Sequence, residues 1–429
     1  MGTPIKGKRT FQAVFADAKG KVFEHPEFQA LGMKAGRFFS PDPSEWIKLP
    51  DSSELFMLPD RVPAGFESDP YSKDGEPCFA VAAFIPPGHT LTYNAAYQEI
   101  PGAQMLPLFA YGAAAFYQGD FYVAAVRVDK DFRHDERFLD PREISKGIGE
   151  FGKLFPKNRL IPHLANCATV NACANAKNFF LGRVEAPIPT SPVCNAQCQG
   201  CISFQPAGRI PPTQKRITFV PTPEEIAEIS LFHISHEKDP LVSFGQGCEG
   251  EPTLSGDVIE KSIRLIRQKT TQGILNINTN ASRPKTLERL FEAGLNQIRV
   301  STNSVREPYY SRYYQPKGYS FAEVAESVRV AKKHGAFVSL NYLSMPGFTD
   351  SEEEFKALKK FIREYHVDMI QWRNLNYDPL HYFRDLKWDA QEYKMLGMRQ
   401  ILDEIHEEFP RLLNGYFNPR KATLKKVHP

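Results

Sequence analysis

The stretch at residues 191–206, SPVCNAQCQGCISFQP, decides how the rest of the chain is read, because it sets Cys194, Cys198 and Cys201 in a C-x3-C-x2-C array. A four-iron cluster is normally held by four cysteine thiolates, and this stretch offers three. One iron would then stay open to a small molecule binding through nitrogen and oxygen, whereas a fully cysteine-ligated cluster is limited to outer-sphere electron transfer. Two other readings compete. On a helix, positions i, i+4 and i+7 share a face, and buried cysteine packs as a small apolar residue. A structural zinc ion would need a fourth ligand from elsewhere. Pro192 ahead of the array and Gly200 inside it weigh against a regular helix.

About fifty residues on, LVSFGQGCEGEPTL (residues 241–254) reads as a short buried strand, Leu241–Phe244, opening into a glycine-rich turn with Gly250, Glu251 and Pro252. Array and turn together resemble the radical S-adenosylmethionine (radical SAM) superfamily. In that family the cofactor's methionyl amine and carboxylate chelate the open iron, and a GGEP segment recognises the amine. The position of the first glycine is Glu249 here, so the match is Gly-Glu-Pro alone.

Length and composition are those of an ordinary globular protein. At 429 residues, with 42% hydrophobic and 24% charged residues, the chain can build two domains and a large core. A net charge of +3 does not by itself predict a polyanionic partner. The apolar run at 78–85 is far shorter than the ~20 residues of a membrane span, and the start, MGTPIKGKRTF, has no apolar signal core. A cytoplasmic protein with no membrane partner is expected, and three of seven cysteines in a cluster-type array fit a reducing compartment.

The first ~155 residues read as a smaller β-rich N-terminal domain. TFQAVFADAKGKVFEHP predicts a hairpin, CFAVAAFIPPG and HTLTYNAAY predict strands, and MLPLFAYGAAAFYQGDFYVAAVRV predicts two strands joined at 118–120. A helix is expected over about 141–154, with Asp140 as N-cap and Pro141 in its first turn. Residues 156–183 read as a helical connection, in which Cys167 and Cys173 are too far out of phase to share a helix face.

From residue 184 to about 380 the pattern alternates. Apolar, β-branched runs at 184–189, 241–244, 274–277, 297–301, 337–343 and 369–372 predict strands, and amphipathic helices lie between them. Thr222 with Glu225, and Ser320 with Glu323, form capping boxes, while Gly294 and Gly335 close helices. Leu287, Leu290 and Phe291 mark one buried helical face, and Phe355, Leu358 and Ile362 another. Strand-helix alternation implies an α/β fold with a parallel sheet, and six units rather than eight resemble the partial (βα)6 TIM-like barrel of the superfamily. A C-terminal helix and basic tail are expected over 381–429.

The resemblance implies one 4Fe-4S cluster on Cys194, Cys198 and Cys201, and S-adenosyl-L-methionine held by Gly200, Gly250, Glu251, Pro252, Thr279, Asn280, Ser301 and Asn303. The family's usual aromatic residue before the third cysteine is Gly200 here, so ring packing on the adenine would come from elsewhere, with Trp372 a candidate. Arg312 and Arg373 are candidate catalytic residues, Arg312 lying between tyrosines in SVREPYYSRYYQPKGYS, which suits a lid over the substrate. Strand alternation sets Trp372 and Arg373 on opposite faces. Cys78, Cys167, Cys173 and Cys248 match no second-cluster spacing and read as packing thiols; His163, His233, His236 and His334 read as surface or satisfied core residues. The expected activity is reductive cleavage of S-adenosylmethionine to a 5′-deoxyadenosyl radical that abstracts hydrogen from an unidentified small-molecule, peptide or RNA substrate. A reductant such as flavodoxin or ferredoxin would be needed. An iron–sulfur electron-transfer or scaffold protein and a zinc-binding interaction protein stay open as alternatives.

Overall fold

The computed structural model describes residues 10–65, 77–206 and 209–421, so the start MGTPIKGKR and the basic tail from 422 onward lie outside the described residues. The chain forms two compact units, one of residues 1–128, 344–355 and 374–404 and one of residues 129–343, 356–373 and 405–429. No helix among the described residues is long and apolar enough to cross a membrane.

The first unit is β-rich. Its strands, joined mostly by short turns, form an 11-stranded sheet and a separate two-stranded one. The expected hairpin forms between Gln12–Ala16 and Val22–Gln29. Gly112–Tyr117 pairs antiparallel with Asp120–Arg127, and the intervening Gln118 and Gly119 take φ of 49° and 90°, as a tight two-residue hairpin turn requires. HTLTYNAAY breaks into His89–Leu91 and Asn94–Ala95, and no strand covers 105–111. Small residues let the layers approach: Ala82, Ala83, Ala115, Ala124 and Ala125 are all fully buried.

The second unit is α/β. Helix α1, Pro141–Leu154, starts as expected, the Asp140 carboxylate accepting from the Arg142 N–H. The helical connection splits into α2, Leu160–Thr169, and α3, Ala174–Phe180. Seven strands then form one sheet in chain order: Glu185–Ile188, Leu241–Phe244, Ile274–Thr279, Gln297–Thr302, Phe337–Ser344, Met369–Asn374 and Leu413–Gly415. Six were expected; the three-residue seventh, parallel to the sixth, is too short to show a period of its own. Both capping boxes form, Thr222 with Glu225 at the start of α4, Pro223–His236, and Ser320 with Glu323 ahead of the helix Phe321–Lys333.

Side chains alternate across this sheet. Ala186, Ile188, Val242, Phe244, Leu275, Ile277, Ile298 and Val338 are wholly buried on one face. Glu185, Ser243, Asn276, Asn278, Arg299 and Gln371 occupy the other and are linked by hydrogen bonds. Asn418 ties them from the C-terminal segment, its Nδ2 donating to Glu185 Oε1 at 3.0 Å and its Oδ1 accepting from Gln371 at 3.1 Å. A parallel sheet with one apolar and one polar face has a face that can line a site.

Candidate active site

The first strand runs out into residues 189–206, which are irregular throughout, so the cysteines share no helix. The Cys198 carbonyl accepts from the Cys201 N–H at 3.2 Å, with half-buried Gly200 inside the turn. Cys194, Cys198 and Cys201 are all half-buried. Two neighbouring loops fix this segment. Carbonyls of Tyr314 and Tyr313 accept from Gln197 N–H and Gln199 N–H, each at 3.0 Å. Ser191 O and Val193 O accept from Gly250 N–H at 2.7 Å and Glu251 N–H at 2.8 Å. A Cβ at Gly250 would stand 1.9 Å from the Val193 carbonyl oxygen, so the turn needs glycine for close approach rather than for an unusual φ. Gly245, at the end of the second strand, has φ of 79° and its Cβ direction is closed by Asn278 O at 1.8 Å.

Glu251 is 3% exposed, and its carboxylate accepts four hydrogen bonds. It accepts from Thr253 N–H at 3.0 Å, Thr253 Oγ1 at 2.7 Å, Asn280 N–H at 2.8 Å and, at close range, Thr279 Oγ1. Asn280 in turn donates from Nδ2 to Asn195 Oδ1 at 2.9 Å, closing a ring of loops around the cysteines. Pro252 opens a buried 3-10 turn, Pro252–Ser255. Glu249, where the family motif has glycine, is 4% exposed and acts as a latch. It accepts from Thr190 N–H at 2.8 Å, Ser191 N–H at 2.9 Å and Gln246 N–H at 2.6 Å. Burial pushes its carboxyl up to about 7 despite these donors. Sequence reasoning treated this position as a departure from the motif; its use depends on backbone donors 58 residues away in the chain.

The cysteine donor set fits an iron–sulfur cluster. Burial, then the charge of Glu251, pushes the Cys194 thiol up to about 11, and burial with its sister thiols also raises Cys198. Such thiols ionise when a cation draws them, and the guanidinium of Arg216 stands 3.7 Å from Cys201 Sγ.

The remaining expected residues fall further out. Ser301 lies on the polar face, its Oγ 3.5 Å from Asn341 Nδ2. Asn303 is fully buried and donates to Tyr309 O at 3.3 Å, fixing the start of the helix Glu307–Tyr314. That helix corrects the expectation of a lid. Tyr310, Tyr313 and Tyr314 are 0–3% exposed, with Tyr310 and Tyr314 stacked at 4.5 Å, so these rings are core beneath the cysteine loop, while Arg312 is exposed. The spacing Tyr310, Tyr313, Tyr314 is a helical apolar stripe, which reading the segment as a loop conceals. Trp372 is 0% exposed, packs edge-on to Tyr342 at 5.7 Å and donates to Asn414 Oδ1 at 2.8 Å, which leaves it no face for an adenine. Arg373 points the other way, its guanidinium 4.2 Å over the Tyr416 ring and donating to Tyr416 O at 3.2 Å.

A cysteine loop at the end of the first strand is stitched to a Gly-Glu-Pro turn after the second on a parallel α/β sheet, the arrangement that the resemblance to radical SAM proteins implies. Residues 188–360 match the family model described as the radical SAM superfamily. The chain is 28% identical over 223 residues to molybdenum cofactor biosynthesis protein 1 of Mus musculus, covering 51% of this chain and 31% of that one. It is likewise 28% identical over 223 residues to GTP 3′,8-cyclase of Aquifex aeolicus, covering 50% of this chain and 62% of that one. The chain thus spans about a third and three fifths of the length of these relatives. Among solved structures, native anSMEcpe with bound AdoMet aligns at 15% identity with a TM-score of 0.39, over 55% of this chain and 64% of that one.

Proposed function

We propose that the chain is a radical SAM enzyme whose α/β unit holds a 4Fe-4S cluster through Cys194, Cys198 and Cys201 and S-adenosylmethionine against residues 250–252. The bound cluster supplies the electron that cleaves the cofactor to methionine and a 5′-deoxyadenosyl radical able to abstract hydrogen from substrate. The observation that carries this reading is the pair of hydrogen bonds from Gly250 and Glu251 to Ser191 O and Val193 O, which sets the turn beside the three thiols.

The chain's own residues then bind and position. The main-chain carbonyls of the turn are offered to a methionyl ammonium, and Glu251 holds Thr279 and Asn280 in place while its charge favours the ammonium. Arg299 and Arg373 share the polar face of the sheet. Burial, and then Arg373, holds the Arg299 guanidinium down to about 9, and its Nε has no hydrogen-bond partner among the described residues. Two cations on this face suit an anionic substrate. An external reductant such as flavodoxin or ferredoxin would deliver the electron.

The test is anaerobic reconstitution followed by S-adenosylmethionine and dithionite. About four irons per chain and formation of 5′-deoxyadenosine are expected, both lost on replacing Cys194, Cys198 or Cys201 by Ala. A four-iron protein that yields no 5′-deoxyadenosine would favour the electron-carrier alternative.

A further inference from the structure

Behind the Gly-Glu-Pro turn lies a second group of metal-type donors that the proposed chemistry does not use. His163 and Cys167 stand one turn apart on α2, and Cys248 immediately precedes the latch residue Glu249. His163 Nε2 is 3.3 Å from Cys248 Sγ and 3.7 Å from Cys167 Sγ, and all three donor atoms lie within 4.8 Å of one another. Both thiols are buried, at 2% and 4% exposure.

These distances discriminate among the possible roles. A single ring nitrogen with a sulfur on each side, at 3.3 and 3.7 Å, has the spacing of donors that share one ion as well as that of a thiol–imidazole hydrogen bond. A tetrahedral ion with bonds of about 2.3 Å to sulfur and about 2.0 Å to nitrogen places its N and S donors roughly 3.6 Å apart. The observed 3.3 and 3.7 Å bracket that edge. Thiolates of an iron–sulfur cube each take a different iron, and so stand farther apart than donors sharing one ion. Imidazole with two thiolates is a donor set for zinc rather than for a hard cation.

We propose that His163, Cys167 and Cys248 bind a single soft divalent cation, zinc in class, with water in the fourth corner, pinning α2 to the turn that carries Glu249 and Glu251. Cys173, whose N–H bonds Cys167 O at 2.9 Å, is outside the triad. The inference stands independently of the radical reaction.

The full chain carrying Cys194→Ala, Cys198→Ala and Cys201→Ala, stripped by chelator and titrated anaerobically with Co2+, isolates this site from the cluster loop. One equivalent should bind, with thiolate-to-cobalt charge transfer and the intense d–d bands of a tetrahedral centre, and Zn2+ should displace it. Adding Cys167→Ser or Cys248→Ser should abolish the spectrum, and His163→Gln should weaken binding at least tenfold. If the serine variants fail to fold, His163→Gln carries the reading, since its ring is half-exposed. No Co2+ uptake in the loop-depleted chain would overturn the proposal. So would wild-type protein holding about eight irons that falls to about four on Cys167→Ser, because the triad would then serve a second cluster.

Discussion

Asp378 and Asp350 of the β-rich unit are fully buried beside cations, with Arg61 at 3.3 Å and Lys34 at 3.2 Å, whereas Glu249 and Glu251 of the α/β unit, nearly as buried, accept only from N–H and O–H groups among the described residues. Asp378 also caps the helix Pro379–Leu386 and accepts from Leu106 N–H at 3.0 Å, so its charge is matched within its own unit. Around Glu249 and Glu251 the donors are neutral dipoles. Desolvation therefore raises both carboxyls, and a cationic group arriving at the turn would favour their ionised forms. Matched burial suits a scaffold; unmatched burial leaves potential to be used by a ligand.

The largest test of this contrast is Arg61→Ala. It leaves Asp378 without its cation, while Glu99, which Arg61 also meets at 3.2 Å, keeps Arg384 at 3.1 Å, and breaking one partner of a buried pair costs about 3–5 kcal/mol. A drop of that size in denaturant unfolding of the β-rich unit is expected; a loss under about 1 kcal/mol would mean that the pair is not the anchor.

Next comes a buried group that the α/β unit keeps uncharged. Burial above all, offset only in part by the hydrogen bond with Asn175 Oδ1 at 2.7 Å, leaves His134 at about 4, below its unfolded value near 6.5. The unfolded chain then binds the proton first. Stability is fully present above about pH 6.5 and declines as pH falls toward 4, by up to about 3 kcal/mol. His134→Gln should flatten that slope in urea titrations between these pH values, and an unchanged slope would assign the acid sensitivity to other groups.

Glu251→Gln is smaller. The amide keeps an acceptor for the threonine hydroxyls but removes the charge, so S-adenosylmethionine binding should weaken about tenfold, or about 1.4 kcal/mol, with the cluster spectrum intact. Unchanged affinity would show that the buried charge is not used by the ligand. Least of all is expected from Lys48→Ala, whose pair with Asp120 at 2.8 Å is open to solvent: the melting temperature should not move.

How much of this was legible depends on the range of each signal. All six expected strands form, four of them beginning at the residue expected and extended at the other end, because alternation of apolar runs and caps is written within ten residues. The tyrosine segment was misread for the same reason, since its neighbouring glycine and prolines hide a helix of eight residues. Glu249, and the partnership of Cys248 with His163 and Cys167, had no local signature at all.

The sequence by itself determined the cysteine loop, the Gly-Glu-Pro turn and the strand-helix order, since each rests on spacing along the chain or on what one residue's backbone permits. Only the tertiary structure decided which carboxylates find cations, which tyrosines become core, and that Cys248 meets α2. Those outcomes depend on groups 58 to 317 positions apart being brought within hydrogen-bonding distance, and burial then fixes the energy of the encounter in a way that no local pattern encodes.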